Sequence, residues 1–217
     1  SSEILMNYRG IMKDFSISSP EQTLSIAQAA FVSELPPRTI NQMIDDQTLP
    51  ANAFSKTNRK RILSAFALPL VSVNHTATEL LAATIRAEVV ASMSPIVIGQ
   101  WKELIERPDS AVGAYFKRGA VTFEADSSIR KVMTKLAEYN RAMTQVISDP
   151  DVRGGLPVLQ GTRLGAEEIG IALASTSLTE LQEDFPSLTP ELANAATVFI
   201  KCFPRRGRPK KIGLKNS

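Results

Sequence analysis

Cysteine and histidine are nearly missing from this chain: Cys202 and His75 are the single representatives of each type among 217 residues. One thiol excludes an internal disulfide, and one imidazole leaves no cluster for a metal held by nitrogen or sulfur. No metal site and no cofactor is therefore expected. Long apolar runs are missing as well. The longest, Ile62 to Val73, is too short to span a bilayer and is broken by Pro69, and the N-terminus lacks a charged-then-apolar signal pattern. The expectation is a soluble, cytoplasmic protein with no membrane partner. Catalytic groupings are scarce too. Cys202 would need a base, and the single histidine is far away in sequence. The carboxylate pairs Asp45-Asp46 and Glu167-Glu168 are adjacent, a spacing that sends side chains in different directions on a helix. No Gly-rich loop leads into a Lys-Ser/Thr pair, so the chain reads as a non-enzyme.

What is present is ample apolar content, at 43% of residues, and a length sufficient for one large or two small domains. Charge is distributed unevenly. Lys201 to Ser217 carries 7 of the 25 basic residues and no acidic one, so the preceding 200 residues hold 18 basic against 22 acidic groups, a net −4. A mildly acidic body with a basic end fits a tail that meets a polyanion or an acidic pocket.

Near the N-terminus, Ser25-Ile-Ala-Gln28 has capping-box spacing and opens an apolar face that runs to Ser33. Glu34-Leu-Pro-Pro37 breaks the pattern. It restarts from Arg38 to Asp46 with Ile40, Met43 and Ile44 on one face and Pro37 suited to N1. Helix, tight turn, helix, then the basic stretch Lys56-Thr-Asn-Arg-Lys-Arg61 resembles the winged helix-turn-helix of excisionases and MerR-type regulators, with Glu34 where such turns usually place glycine. The resemblance implies that the second helix reads the major groove. Arg38, Asn41 and Gln42 on its outer face suit base edges, since Arg grips guanine and Asn or Gln pairs with adenine, while Lys56, Arg59, Lys60 and Arg61 suit phosphates. Asp45-Asp46 opposes that use, and a helical pair serving only packing or dimerisation is the competing reading.

Thr76 to Ser92 reads as a further helix, with Thr76 and Glu79 in capping-box positions and His75 at its start as a polar boundary residue. Trp101 to Glu106 and Ala120 to Phe123 read as a short helix and a strand. From Ser127 to Ile147, the residues Ile129, Val132, Leu136, Tyr139, Met143 and Val146 recur in steps of three and four. This heptad seam packs either against its own chain or against a second copy, and a homodimer is the expectation.

Asp149 to Arg163 concentrates sterically special residues. Gly154-Gly155 and Gly161 supply backbone freedom at two turns, Pro157 favours extension, and Val158-Leu159 suits a short strand between them, which predicts a small hairpin. Three short helices follow: Glu167 to Ala174, one capped by Ser177 with Glu180, and one from Pro190 to Phe203 capped by Thr189. This hairpin, with Gly154, Gly155, Pro157, Gly161, Thr162 and Arg163, and the punctuation Asp184-Phe-Pro-Ser-Leu-Thr189 closely resemble the small bacterial family called domain of unknown function 433. The likeness spans Val146 to Phe203, about a quarter of the chain. It implies a compact helix-turn-helix-like fold and an antitoxin paired with a PIN-like ribonuclease toxin in a VapBC-type module. Gly161, Thr162 and Arg163 either fix a turn and a dimer contact or bind a ligand directly.

The tail contains Arg206-Gly207-Arg208-Pro209, which resembles the core of an AT-hook. Gly207 would let the backbone approach the floor of an A·T minor groove, Arg206 and Arg208 would lie along it, and Lys210 and Lys211 would meet phosphates. An arginine inserted into a toxin's carboxylate pocket and a merely solubilising tail are the other two readings.

The sequence thus predicts a mainly α protein with short β hairpins. Residues 1–125 form a winged helix-turn-helix-like domain, 126–147 a connecting helix, 148–203 the hairpin with three helices, and 204–217 the basic tail. Its expected partners are double-stranded operator DNA, a PIN-like ribonuclease toxin and a second copy of itself. The expected function is an antitoxin that represses its own operon; the alternative is a stand-alone DNA-binding regulator.

Overall fold

The computed structural model describes residues 15–57 and 60–204. Helices dominate them: α1 (Ile26–Ser33), α2 (Pro37–Asp45), α3 (Ala67–Ala77), α4 (Ala83–Gly99), α5 (Trp101–Glu106), α6 (Asp126–Met143), α7 (Ala166–Ala172), α8 (Leu178–Asp184) and α9 (Pro190–Cys202). The strands are short and antiparallel. β1 (Thr23–Ser25), β2 (Phe54–Thr57) and β3 (Lys60–Ser64) form a sheet in the order β1-β3-β2; β4 (Tyr115–Arg118) pairs with β5 (Val121–Glu124), and β6 (Val146–Ile147) with β7 (Val158–Leu159).

Helix starts follow the capping chemistry. Gln28 N–H donates to Ser25 Oγ at 3.2 Å while Ser25 N–H donates to Gln28 Oε1 at 2.9 Å, and Ser177 with Glu180 repeats that exchange at α8. Thr189 Oγ1 accepts from Leu192 N–H, with Pro190 at N1 of α9. One expected cap is absent. The structure places Thr76 in the last turn of α3, where its hydroxyl bonds back to Ser72 O at 3.1 Å and meets Ser128 Oγ at 2.9 Å. The expected helix Thr76–Ser92 is therefore two helices parted by a turn at 78–82, and exposed His75 lies near the end of α3, not at the start of a helix. The apolar run that is too short for a membrane makes β3 and α3, and every residue from Ala65 to Asn74 is buried. Among the described residues, no helix is long and apolar enough to cross a membrane.

α6 ends four residues earlier than its periodicity suggests, because Val146 and Ile147 leave the helix to pair with Leu159 and Val158. The whole seam, Ile129, Val132, Leu136, Tyr139, Met143 and Val146, is at most 4% exposed within its own chain. It is core and is not available to a second copy. α1, α3 and α9 pack along this helix. At its centre the Tyr139 hydroxyl donates to Phe15 O at 2.9 Å and accepts from Gln28 Nε2 at 2.9 Å. Asn140 exchanges two hydrogen bonds with the backbone of Ile17, at 2.7 and 2.9 Å, fixing the segment before β1. Phe15 makes edge contacts with Phe199 and Phe203, its ring centroid 5.7 and 5.3 Å from theirs, joining the two ends of the described chain.

α7 and α9 cross closely at Gly170. A Cβ there would lie 2.5 Å from Ile200 Cγ2 and 2.6 Å from Ala196 O, and the carbonyl belongs to helix backbone that cannot swing aside. Gly170→Ala should therefore cost about 1–3 kcal/mol in denaturant unfolding, whereas Gly99→Ala, with nothing within 4 Å, should be neutral or slightly stabilising. Leu136→Ala should cost about 2–5 kcal/mol, and Leu136→Asp should unfold the chain without yielding a folded monomer.

Candidate nucleic-acid interface

Glu34 closes α1 in the left-handed conformation, with φ 55°, and its N–H reaches Ala30 O and Phe31 O. That conformation disfavours a side chain, and the carboxylate is held by Lys131 at 3.1 Å and Lys135 at 3.9 Å on α6. Pro36 and Pro37 then launch α2. Ile40, Met43 and Ile44 face inward, leaving an outer row of Arg38, Gln42, Asp45 and Asp46 exposed. The far end of α2 is anchored by a buried polar chain: Asn74 Nδ2 donates to Thr48 Oγ1 at 2.6 Å, and Thr48 Oγ1 to Met43 O at 3.2 Å. Arg86 Nε in turn donates to Asn74 Oδ1 at 3.2 Å.

Beside α2 stands the hairpin β2–β3. Its register sets Lys56 directly opposite Arg61, two like charges on one face. Asp45 compensates for both. Arg61 forks onto the Asp45 carboxylate at 2.8 and 2.9 Å, and Lys56 Nζ lies 3.6 Å from Oδ1. Arg61 also donates to Asn41 O at 3.1 Å and Asn41 Oδ1 at 3.2 Å, while Asn41 Nδ2 donates to Pro37 O at 2.9 Å. The sequence-predicted site residues thus divide. Arg38 and Gln42 are one turn apart, exposed, and paired with nothing among the described residues. Asn41, Lys56 and Arg61 are occupied, and Lys60 lies on the opposite hairpin face from Arg61. Arg59 and the tail residues Arg206, Gly207, Arg208, Lys210 and Lys211 lie outside the described residues. The sequence marks Asp45 as a charge opposed to phosphates; its partnership with Arg61, sixteen positions on, has no local signature.

The C-terminal motif is a set of backbone devices. Thr162 N–H donates to Leu159 O at 3.0 Å across a turn with Gly161 at its third position and φ 73°, a site that favours glycine. The Thr162 hydroxyl donates to Leu159 O at 2.9 Å and accepts from Leu164 N–H at 3.0 Å. Pro157, Val158 and Leu159 are buried, and β7 pairs with β6 at the end of α6. Arg153, Gly154 and Gly155 all take positive φ (50°, 65° and 82°). Arg153, whose role the sequence does not reveal, forks onto Glu168 on α7 with both contacts at 2.6 Å. Gly165 makes room for that fork, since a Cβ there would lie 2.6 Å from Arg153 Nη1. Arg163 is exposed at the turn with no partner among the described residues. Cys202 is buried, and burial pushes its thiol up to about 12, so it stays protonated.

Residues 146–200 match the family described as "Protein of unknown function (DUF433)". The chain is 28% identical over 199 residues to "Uncharacterized protein y4eO" of Sinorhizobium fredii (strain NBRC 101917 / NGR234), a likeness covering 88% of this chain and 86% of that protein. No solved structure matches at a significant level.

The Arg61 fork, with Lys56 beyond it, holds the Asp45 carboxyl below the usual carboxylate range. A lowered folded value means that the tie between hairpin and α2 is complete above the ordinary Asp range and is lost as pH falls through the lowered value. Carboxyl-carbon NMR titration should therefore give Asp45 a midpoint below its model-compound value in the intact protein and an upward shift in Arg61→Gln. An unchanged midpoint would show that the fork does not persist in solution.

Proposed function

We propose that the protein is a sequence-specific DNA-binding protein of winged helix-turn-helix type that acts as the antitoxin of a toxin–antitoxin module and represses its own operon. The observation that carries the DNA reading is the outer row of α2. Arg38 and Gln42 stand exposed and uncommitted one turn apart, beside the β2–β3 hairpin, which this reading takes as the wing. In this reading α2 enters the major groove, where Arg38 grips guanine and Gln42 adenine, and the hairpin with Lys60 lies along the backbone. Asn41 serves as the brace for Arg61 and not as a base reader. α9 cannot substitute as a recognition helix, because it carries no basic residue before Lys201 and its apolar face is buried.

The antitoxin half rests on what the resemblance of residues 146–200 implies, a pairing with a PIN-like ribonuclease; the matched family is itself described as of unknown function. A homodimer reads paired half-sites through a surface other than the α6 seam, and the tail adds minor-groove or toxin contacts. The stand-alone regulator keeps the same DNA face and needs no toxin; an adjacent reading frame with clustered Asp and Glu in a PIN-like pattern separates the two.

The test is selection from a pool of random duplexes. The intact protein should enrich a defined site, and Arg38→Ala with Gln42→Ala should abolish preference for that site over random DNA. Each lost bidentate contact is worth about 1–3 kcal/mol, while thermal unfolding should stay unchanged because both side chains are exposed. Enrichment of the same site by the double variant would remove α2 as the reader.

A further inference from the structure

Three charged groups meet where hairpin β2–β3 faces the end of α2: Lys56 and Arg61 opposite each other on the strands, and Asp45 between them. Resting on the DNA-binding reading above, we propose that Asp45 is a specificity-determining residue that withholds Arg61 and Lys56 from phosphates, so that non-specific DNA is bound weakly and the Arg38–Gln42 row decides the site. The geometry supports this directly. Arg61 spends its guanidinium on Asp45 and Asn41, four contacts between 2.8 and 3.2 Å, and its side chain is only 29% exposed. Asp45 stays half exposed on the same outer row as Arg38 and Gln42, so the negative charge lies at the edge of the surface offered to DNA. A phosphate competing for Arg61 must break a bidentate pair, and it meets the carboxylate as a like charge.

A residue that only clamps the hairpin and one that masks cations predict opposite effects when its charge is removed. Loss of a clamp loosens the hairpin and weakens binding to every duplex. Loss of a mask liberates two cations for phosphates, and each phosphate neutralised adds roughly 0.9 to the slope of log K against log salt.

The experiment measures affinity of the full chain for a random-sequence duplex, and for the duplex enriched by the intact protein, between 50 and 200 mM salt. Asp45→Asn should bind the random duplex more tightly at low salt, with a slope steeper by about two, so that its affinity falls roughly tenfold more than that of the intact protein across this range. Preference for the enriched duplex should shrink correspondingly. Adding Arg61→Gln to Asp45→Asn should return about half of the extra slope, and Asp45→Glu should restore the original behaviour. An unchanged or shallower slope in Asp45→Asn, with equal thermal unfolding, would overturn the masking role, as would an extra slope that Arg61→Gln fails to reduce. If the intact protein binds neither duplex, the DNA-binding reading itself fails, an outcome separate from a flat response in a protein that does bind.

Discussion

Burial of the α6 seam is the constraint on which the placement of α1, α3 and α9 depends. Five apolar or aromatic residues of α6 in steps of three and four, with Val146 just beyond its end, need neighbours, and α1, α3 and α9 supply them from sequence regions before and after the helix. The Tyr139 hydroxyl, buried at the middle of that contact, is satisfied by Gln28 of α1 and by the backbone of Phe15. A buried hydroxyl without such partners would cost stability. The position of α1 is thereby fixed, and with it the turn at Glu34 that aims α2 outward. The lysines that hold Glu34 lie on α6 as well, so one helix sets both the core and the presentation of the candidate interface.

Much of this was legible in the sequence because capping and periodicity are local. Ser25 with Gln28, Ser177 with Glu180 and Thr189 with Pro190 each declare a helix start within four residues, and each is present as declared. Gly154, Gly155 and Gly161 all occupy positive φ, as a turn reading of glycine requires. The same reasoning misled at Thr76. Its spacing to Glu79 is that of a cap, yet a threonine can equally bond back to the carbonyl four residues earlier, and only the burial of the preceding run decides between the two. The α6 periodicity announced an apolar face and could not say what covers it; a seam buried by its own chain and one buried by a partner have one pattern.

Charge pairing lies deeper still. Lys56 and Arg61 look in sequence like free cations beside a recognition helix, and Asp45 like an intrusion. Folding brings them together across sixteen residues and reverses that assessment: the acidic group is what permits two like charges to face each other on the hairpin. Arg153 shows the same blindness. Nothing local marks a non-glycine residue for the left-handed region, and its partner Glu168 lies beyond the turn it stabilises.

The contacts that join Phe15 to α9, at the two ends of the described residues, bear on how any partner of residues 146–200 could act. Gly170 lets α7 lie against α9; α9 presents Phe199 and Phe203 to Phe15; and Phe15 accepts from Tyr139, which also holds Gln28 on α1. This is a packed path from α7 to the helix pair α1–α2. Contacts of this kind carry position along the path, and allosteric coupling through them would require a second arrangement whose population a ligand shifts. Without such a shift, a molecule bound at the Arg163 turn would act on α2 by adding contacts, by covering surface or by linking two copies, each an effect of concentration and geometry. On the proposed reading, α2 meets DNA as a helix held at both ends, by the Glu34 carboxylate on Lys131 before it and by Asn74 on Thr48 beyond it.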